Sequence, residues 1–228
     1  MPWLTDPALW TALLQIIAID LLLGGDNAVV IALACRNLPR EQRRKAILGG
    51  VAGAIVLRVV LLFFAMQLLS LPYLKLAGSL LLLWIGVKLL VHQDEGHGDI
   101  RGDVHLLNAI KTIIIADAVM SLDNVLAVAA AGAGNLYLVS FGVLVSIPVI
   151  VLGSRLVLAA MERFPVLIQF GGALIGWIAG GMAVADPVLA QALPGTAVWQ
   201  HYVASMLGAV VVLVAGQCWN RRLVARRS

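Results

Sequence analysis

Apolar stretches of membrane-spanning length leave this chain few ways to fold. Broken only at charged and Pro/Gly clusters, they run roughly over 8–34, 46–70, 73–91, 106–131, 136–160, 165–185 and 199–219 of the 228 residues. A helix that crosses a bilayer needs about 20 mostly apolar residues. Composition agrees: 61% of residues are hydrophobic and 12% charged, against about a quarter charged in soluble domains. A water-facing enzyme core is thereby excluded. A transmembrane barrel would show segments of about 10 residues with alternating polarity, and none occur. The sequence predicts an all-α integral membrane protein with seven transmembrane helices, forming a single membrane domain over 1–228.

Basic residues predict the orientation. Arg36, Arg40, Arg43, Arg44 and Lys45 are expected in the first loop, Lys88, Arg101 and Lys111 flank the third, and Arg163 sits in the fifth. Arg221, Arg222, Arg226 and Arg227 form the tail, while Lys75 alone marks the opposite side. The positive-inside rule then places the N-terminus outside and the C-terminus in the cytoplasm of a cell-membrane protein. The net charge of +4 therefore reports topology, and no nucleic-acid partner is expected. Trp3, Trp10, Trp84, Trp177, Trp199 and Trp219 lie mostly towards span ends, as an interfacial belt would. The opening residues lack a basic n-region, so no cleaved signal peptide is expected. Cys35 and Cys218 have no ligand spacing, which removes disulfide and zinc-ribbon readings.

The chain also repeats itself. Asp20, five residues, then Asp26-Asn27 returns as Asp117, five residues, then Asp123-Asn124, at an offset of 97 that also carries Arg58 onto Arg155. A looser echo sets Gly78 and Trp84 against Gly171 and Trp177. Repeat one covers about 8–91 and repeat two about 106–185, with a linker over 92–105 and a seventh helix over 199–219. Three spans per copy is odd, so the copies enter the membrane from opposite sides. Inverted repeats of this kind recur in secondary transporters, with the site near the midplane where the halves meet.

Four aspartates thus lie inside apolar spans. Each charge at a helix centre costs about 2.5–3.5 kcal/mol even on lenient scales, and such groups default to function. A purely structural reading pairs them with Arg58 and Arg155 as static salt bridges. That leaves the sum at minus two, which a divalent cation or two protons would close. Aspartates six residues apart differ by about 600° around a helix and about 9 Å along it, so one ion reaches both only across a break. Gly24-Gly25 offers that break in the first span; Met120, Ser121 and Leu122 make it less obvious in the fourth. Alternatively Asp26 and Asp123 hold the ion while Asp20 and Asp117 sit one layer away.

Carboxylate, amide and backbone oxygens suit Mg²⁺, Ca²⁺ or Mn²⁺. Met120, three residues from both Asp117 and Asp123, either packs or offers a thioether that would favour Mn²⁺. Asn27 and Asn124 serve as ligands or as caps of a broken helix. Arg58 and Arg155 balance charge when the ion is absent; the rival for each is an arginine snorkelling to the interface. The remaining glycines, Gly49, Gly50, Gly53, Gly171, Gly172, Gly176, Gly180 and Gly181, read as packing. The His-bearing linker, with His92, His97 and His105, has no fixed ligand spacing and reads as solvated; His201 has no evident role.

Gly24-Gly25-Asp26-Asn27-Ala28-Val29-Val30 and Asp117-Ala118-Val119-Met120-Ser121-Leu122-Asp123-Asn124-Val125 resemble the paired motifs of the TerC family, over roughly 10–220. That family is similar to the LysE superfamily of transporters. The resemblance implies Mn²⁺ export through the intramembrane aspartates; it supplies both the metal and the direction. No GxxxxGK[ST] motif occurs, so an ion gradient would drive export, with protons as the exchanged ion. Moving two charges outward across 100 mV costs about 4.6 kcal/mol. Two rivals stand: a membrane scaffold of a metal- or tellurite-stress complex, and an exporter of small cationic metabolites. No nucleophile–base pair marks an enzyme, no permanent cofactor is expected, and nothing sets an oligomeric state.

Overall fold

A computed structural model describes residues 7–69, 71–91, 99–131, 135–192 and 198–225. Every regular element among them is helical: α1 (Pro7–Leu23), α2 (Gly25–Cys35), α3 (Arg40–Leu69), α4 (Leu74–Leu90), α5 (Asp99–Ala131), α6 (Leu136–Arg163), α7 (Val166–Val184), α8 (Pro187–Ala192) and α9 (Val198–Ala225). Five segments are long and apolar enough to cross a membrane: Arg40–Phe64, Val104–Leu122, Tyr137–Arg163, Val166–Val184 and Val198–Leu223. A sixth forms if α1 and α2 are one span bent by 47°. With 17 residues, α4 is about 25 Å long, shorter than a bilayer core.

Three boundaries differ from expectation. The basic residues from Arg40 to Lys45 are not loop but the first turns of α3, where Gln42 and Arg43 donate their backbone N–H groups to Pro39 O. The linker is shorter than expected, because α5 begins at Asp99; His92 and His97 lie outside the described residues. The short α8 has too little sequence to show a period. Elsewhere local chemistry matches the sequence. The Asn135 side chain accepts the N–H groups of Tyr137 and Leu138 at 3.1 and 3.2 Å, a side-chain cap that starts α6.

Packing gathers these helices around one centre. The bent pair α1/α2 lies against α5 and α6, α3 runs along α5, and α7 is held between α4 and α9. A Cβ at Gly180 would stand 2.0 Å from Ala204 O, and one at Gly176 2.4 Å from Gly208 O. Those two glycines let α7 and α9 touch backbone to backbone. Arg43 ties one end of the bundle. It donates to Leu38 O (2.8 Å) and Arg36 O (3.0 Å) and pairs with Glu162, so the start of α3 and the end of α6 share that basic end.

At the opposite end Asp186, fully buried, clamps two helix starts. Its carboxylate accepts N–H groups from Tyr73 (3.3 Å), Leu76 (3.2 Å) and Val188 (3.0 Å). Tyr73 sits at φ 64°, a left-handed backbone uncommon for a bulky residue. Burial opposes charge on Asp186, but the N–H groups of Val188, Leu76, Tyr73 and Lys75 outweigh it and hold the carboxyl below the ordinary aspartate range. Stability from a carboxyl held low is complete above its unfolded value of about 4, and is lost as pH falls through the lower folded value. Asp186→Asn should therefore unfold earlier than wild type near neutrality. The gap should close as pH falls below the ordinary aspartate range, read as thermal midpoints in detergent from neutrality downwards.

Candidate functional site

The first span breaks where the glycines stand. α1 ends at Leu23 and α2 begins at Gly25, with Gly24 at φ −106°, ψ 4° between them. The Gly24 N–H still reaches Asp20 O at 2.8 Å, and Asn27 N–H reaches Gly24 O at 3.1 Å. A Cβ on Gly24 would lie 2.6 Å from Asp20 O, whereas one on Gly25 would meet nothing within 4 Å. The equivalent stretch of α5 is unbroken from Asp99 to Ala131, because Met120, Ser121 and Leu122 keep normal helical geometry there. The two stretches that share the Asp-Asn motif therefore differ at this point.

The break places Asp26 in the first turn of α2, where the helix dipole favours a carboxylate. It also strands the carbonyl of Leu23, which accepts Asn124 Nδ2 from α5 at 2.9 Å. Asn27 reaches the other way, donating Nδ2 to Asp117 Oδ1 at 2.9 Å. Both asparagines thus donate hydrogen bonds that link α5 to the broken first span. Asn27 keeps its Oδ1 buried and unpartnered.

Arg58 of α3 is the centre. Nη1 meets Asp20 Oδ1 at 2.5 Å, and Nη2 meets Asp117 Oδ1 at 2.7 Å; all three side chains are about nine-tenths buried or more. The second oxygen of each aspartate is also held, Asp20 Oδ2 by the Ser146 hydroxyl and Asp117 Oδ2 by Ser121 Oγ at 3.3 Å. Asp20, Arg58, Asp117, Ser146 and Asn27 line a cavity of about 30 Å³ that is otherwise apolar, with Ile31, Ile55 and Ile147 in its wall. It has room for a few water molecules or one small ion.

Asp26 stands beside this cluster, near enough for its charge to act on Arg58 and Asp117. One of its oxygens, Oδ1, is buried with no hydrogen-bond partner. Such a group is costly unless something fills the gap. The described side chains thus hold three carboxylates against one guanidinium; the Asp123 side chain lies outside them. Among them no three acidic, histidine or cysteine side chains come together as a ready metal centre. The donors that remain open, Asp26 Oδ1 and Asn27 Oδ1, are hard oxygens, and they fit a hard cation better than a soft one.

Two expected members are elsewhere. Arg155 does not join the aspartates. It is exposed on α6 and lines a groove with Arg40, Arg43 and Arg44, because its position lies about 12 Å from the α6 end at Arg163. Met120 is buried in the apolar cluster with Val30, Leu82, Ile175 and Met182; it packs, and it does not line the cavity. Two serines were not expected. Ser121 could have been found four residues from Asp117, on the same helix face. Ser146 carries no such signal, being a lone hydroxyl in an apolar run.

Apolar helices of membrane-spanning length closed around a buried Asp–Arg–Asp cluster define a multi-pass membrane protein. The chain belongs to the TerC family: it matches "Integral membrane protein TerC family" over residues 5–224. It is 47% identical over 179 residues to the "Uncharacterized membrane protein YjbE" of Bacillus subtilis (strain 168), covering 78% of this chain and 81% of that one. It is 28% identical over 189 residues to YceF of the same organism, covering 79% and 73%. It is 29% identical over 180 residues to the "UPF0053 inner membrane protein YgdQ" of Escherichia coli (strain K12), covering 72% and 76%. No solved structure matches.

Proposed function

We propose that the protein is a secondary transporter that exports divalent metal cations, with Mn²⁺ as the ion, in exchange for protons. The observation that carries this reading is the pair of buried oxygens without partners, Asp26 Oδ1 and Asn27 Oδ1, beside carboxylates already drawn to a cation. Arg58 neutralises Asp20 and Asp117 while no metal is bound. An arriving divalent ion competes for those oxygens and releases the guanidinium. Protons that neutralise the aspartates then release the ion. The small cavity favours a single ion over a cationic metabolite.

The transport frame belongs to the same proposal. Counting α1/α2 as one span and α4 as another gives seven, in two inverted units of three plus α9. The basic end then faces the cytoplasm, with the N-terminus outside. Alternating access comes from one unit rocking on the other.

A second reading has an observation in its favour. Asp20 and Asp117 each have both oxygens satisfied, as in a purely structural cluster on a membrane scaffold. Metal accumulation in Mn²⁺-loaded cells separates the two. Wild type should lower cellular Mn, while Asp26→Asn and Asp123→Asn at matched membrane abundance should not. Equal Mn in all three, or loss of protein without loss of specific efflux, favours the scaffold. Efflux that persists after the proton gradient is collapsed removes proton exchange.

A further inference from the structure

The arginine that left the buried cluster points to a second site. Arg155 is the single charged residue of α6 between Leu136 and Met161, and it is exposed on a face that also exposes Leu152 and Leu156. A guanidinium lying about 12 Å inside the helix end, on an apolar surface, must find an anion or snorkel to one. The basic end of the bundle lies in that direction. There Arg155 shares an open groove of about 290 Å³ with Arg40, Arg43 and Arg44, floored by Ile47 and Leu158. Arg43 is already engaged by Glu162 and two carbonyls. Among the described residues, Arg40, Arg44 and Arg155 make no salt bridge; Glu162, paired with Arg43, also lies within electrostatic reach of Arg40, while Arg44 and Arg155 face no such carboxylate. Arg40 opens α3, whose N-terminal dipole adds to the positive field.

We infer that this groove between α3 and α6 binds an anionic phospholipid, its phosphate held by Arg155 together with Arg40 and Arg44. The acyl chains lie along the exposed leucines of α6. Three guanidinium groups beside apolar floor residues match a headgroup with chains attached, since a free phosphate would gain nothing from Ile47, Leu158, Leu152 or Leu156. Basic pockets between membrane helices recognise lipid phosphates in this way. The inference stands apart from the transport reading, because it uses none of the buried aspartates.

Native mass spectrometry of the full chain in neutral detergent tests it. The probes are phosphatidylglycerol and phosphatidylcholine of the same chain length, with inorganic phosphate as competitor. Wild type should retain phosphatidylglycerol over phosphatidylcholine. Arg155→Gln should weaken that preference about fivefold, and Arg40→Gln with Arg44→Gln further, since each basic group near a headgroup contributes about that factor. Arg222→Gln, at the same end on α9, should leave it unchanged. Should Arg155→Gln fail to fold, Arg155→Lys and the Arg40/Arg44 pair carry the test, and the wild-type preference needs no variant. Equal retention of the two lipids overturns the inference. So does equal loss in Arg222→Gln, which would mean general charge. Displacement by inorganic phosphate with no benefit from the acyl chains assigns the groove to free phosphate instead, and also overturns it.

Discussion

Arg58→Gln is expected to destabilise the protein by about 3–5 kcal/mol, the cost of leaving buried charges without their partner. Two carboxylates lose their cation at once, because Nη1 serves Asp20 and Nη2 serves Asp117. Glutamine is shorter and neutral, so the Ser146 and Ser121 hydroxyls and Asn27 Nδ2 would be all that remains to hold Asp20 and Asp117. The measurement is the unfolding midpoint in detergent, with steady-state membrane abundance beside it. The triple variant Arg58→Gln, Asp20→Asn, Asp117→Asn should recover most of the loss, since it leaves no unpaired buried charge and its amide N–H groups can donate to the serine hydroxyls where the carboxylates accepted from them. A loss below about 1 kcal/mol in the single variant would place the pair among weak surface-like bridges and remove Arg58 from the centre. Transport divides the readings further. If Arg58 holds the carboxylates in trust for a metal ion, added Mn²⁺ should restore much of the Arg58→Gln stability, because a ligand of the folded state stabilises it by mass action. A scaffold would gain nothing from Mn²⁺.

Sequence and structure meet at the aspartates and part at their partners, for physical reasons. A charge inside an apolar span is so costly that Asp20, Asp26 and Asp117 stand out unaided, and the break at Gly24 follows from the same stretch of chain. The family resemblance is likewise borne out by the match over residues 5–224. Arg155 misled because sequence symmetry is not spatial symmetry. An offset of 97 aligns it with Arg58, but in antiparallel helices that sit differently in depth the two side chains face different surroundings. Met120 had packing and a thioether role open, since three-residue spacing puts it near the aspartates along the helix; its face turns to the apolar cluster with Val30 and Leu82. The asparagines had two roles open; only the positions of Leu23 O and of Asp117 in space show what their Nδ2 atoms meet, and Asn27 Oδ1 stays open beside them. Ser146 was illegible since nothing in α6 signals which hydroxyl will meet a carboxylate from α1.

Gly24→Ala should be the most damaging single-methyl change near the site, and Gly25→Ala its silent neighbour. The added Cβ at Gly24 would sit 2.6 Å from Asp20 O, a backbone atom held by the 2.8 Å bond from Gly24 N–H. Backbone cannot step aside as a flexible side chain can, so the strain is on the order of 1–3 kcal/mol. Relief requires the α1/α2 bend to open. That moves Asp20 relative to Asp26, and pulls Leu23 O from Asn124 Nδ2 and Asn27 from Asp117. At Gly25 the Cβ meets no atom within 4 Å, and alanine is the better helix former by about 1 kcal/mol. Mn efflux at matched abundance should therefore fall roughly tenfold or more in Gly24→Ala, as 1.4 kcal/mol already implies, and stay near wild type in Gly25→Ala. Unfolding midpoints should move the same way, down for the first and level or up for the second. Equal efflux in both variants would mean that the bend only accommodates the chain. A selective loss at Gly24, at matched abundance, would make the break part of the transport machinery, since the two changes add the same methyl to adjacent residues and differ in whether the bend must open.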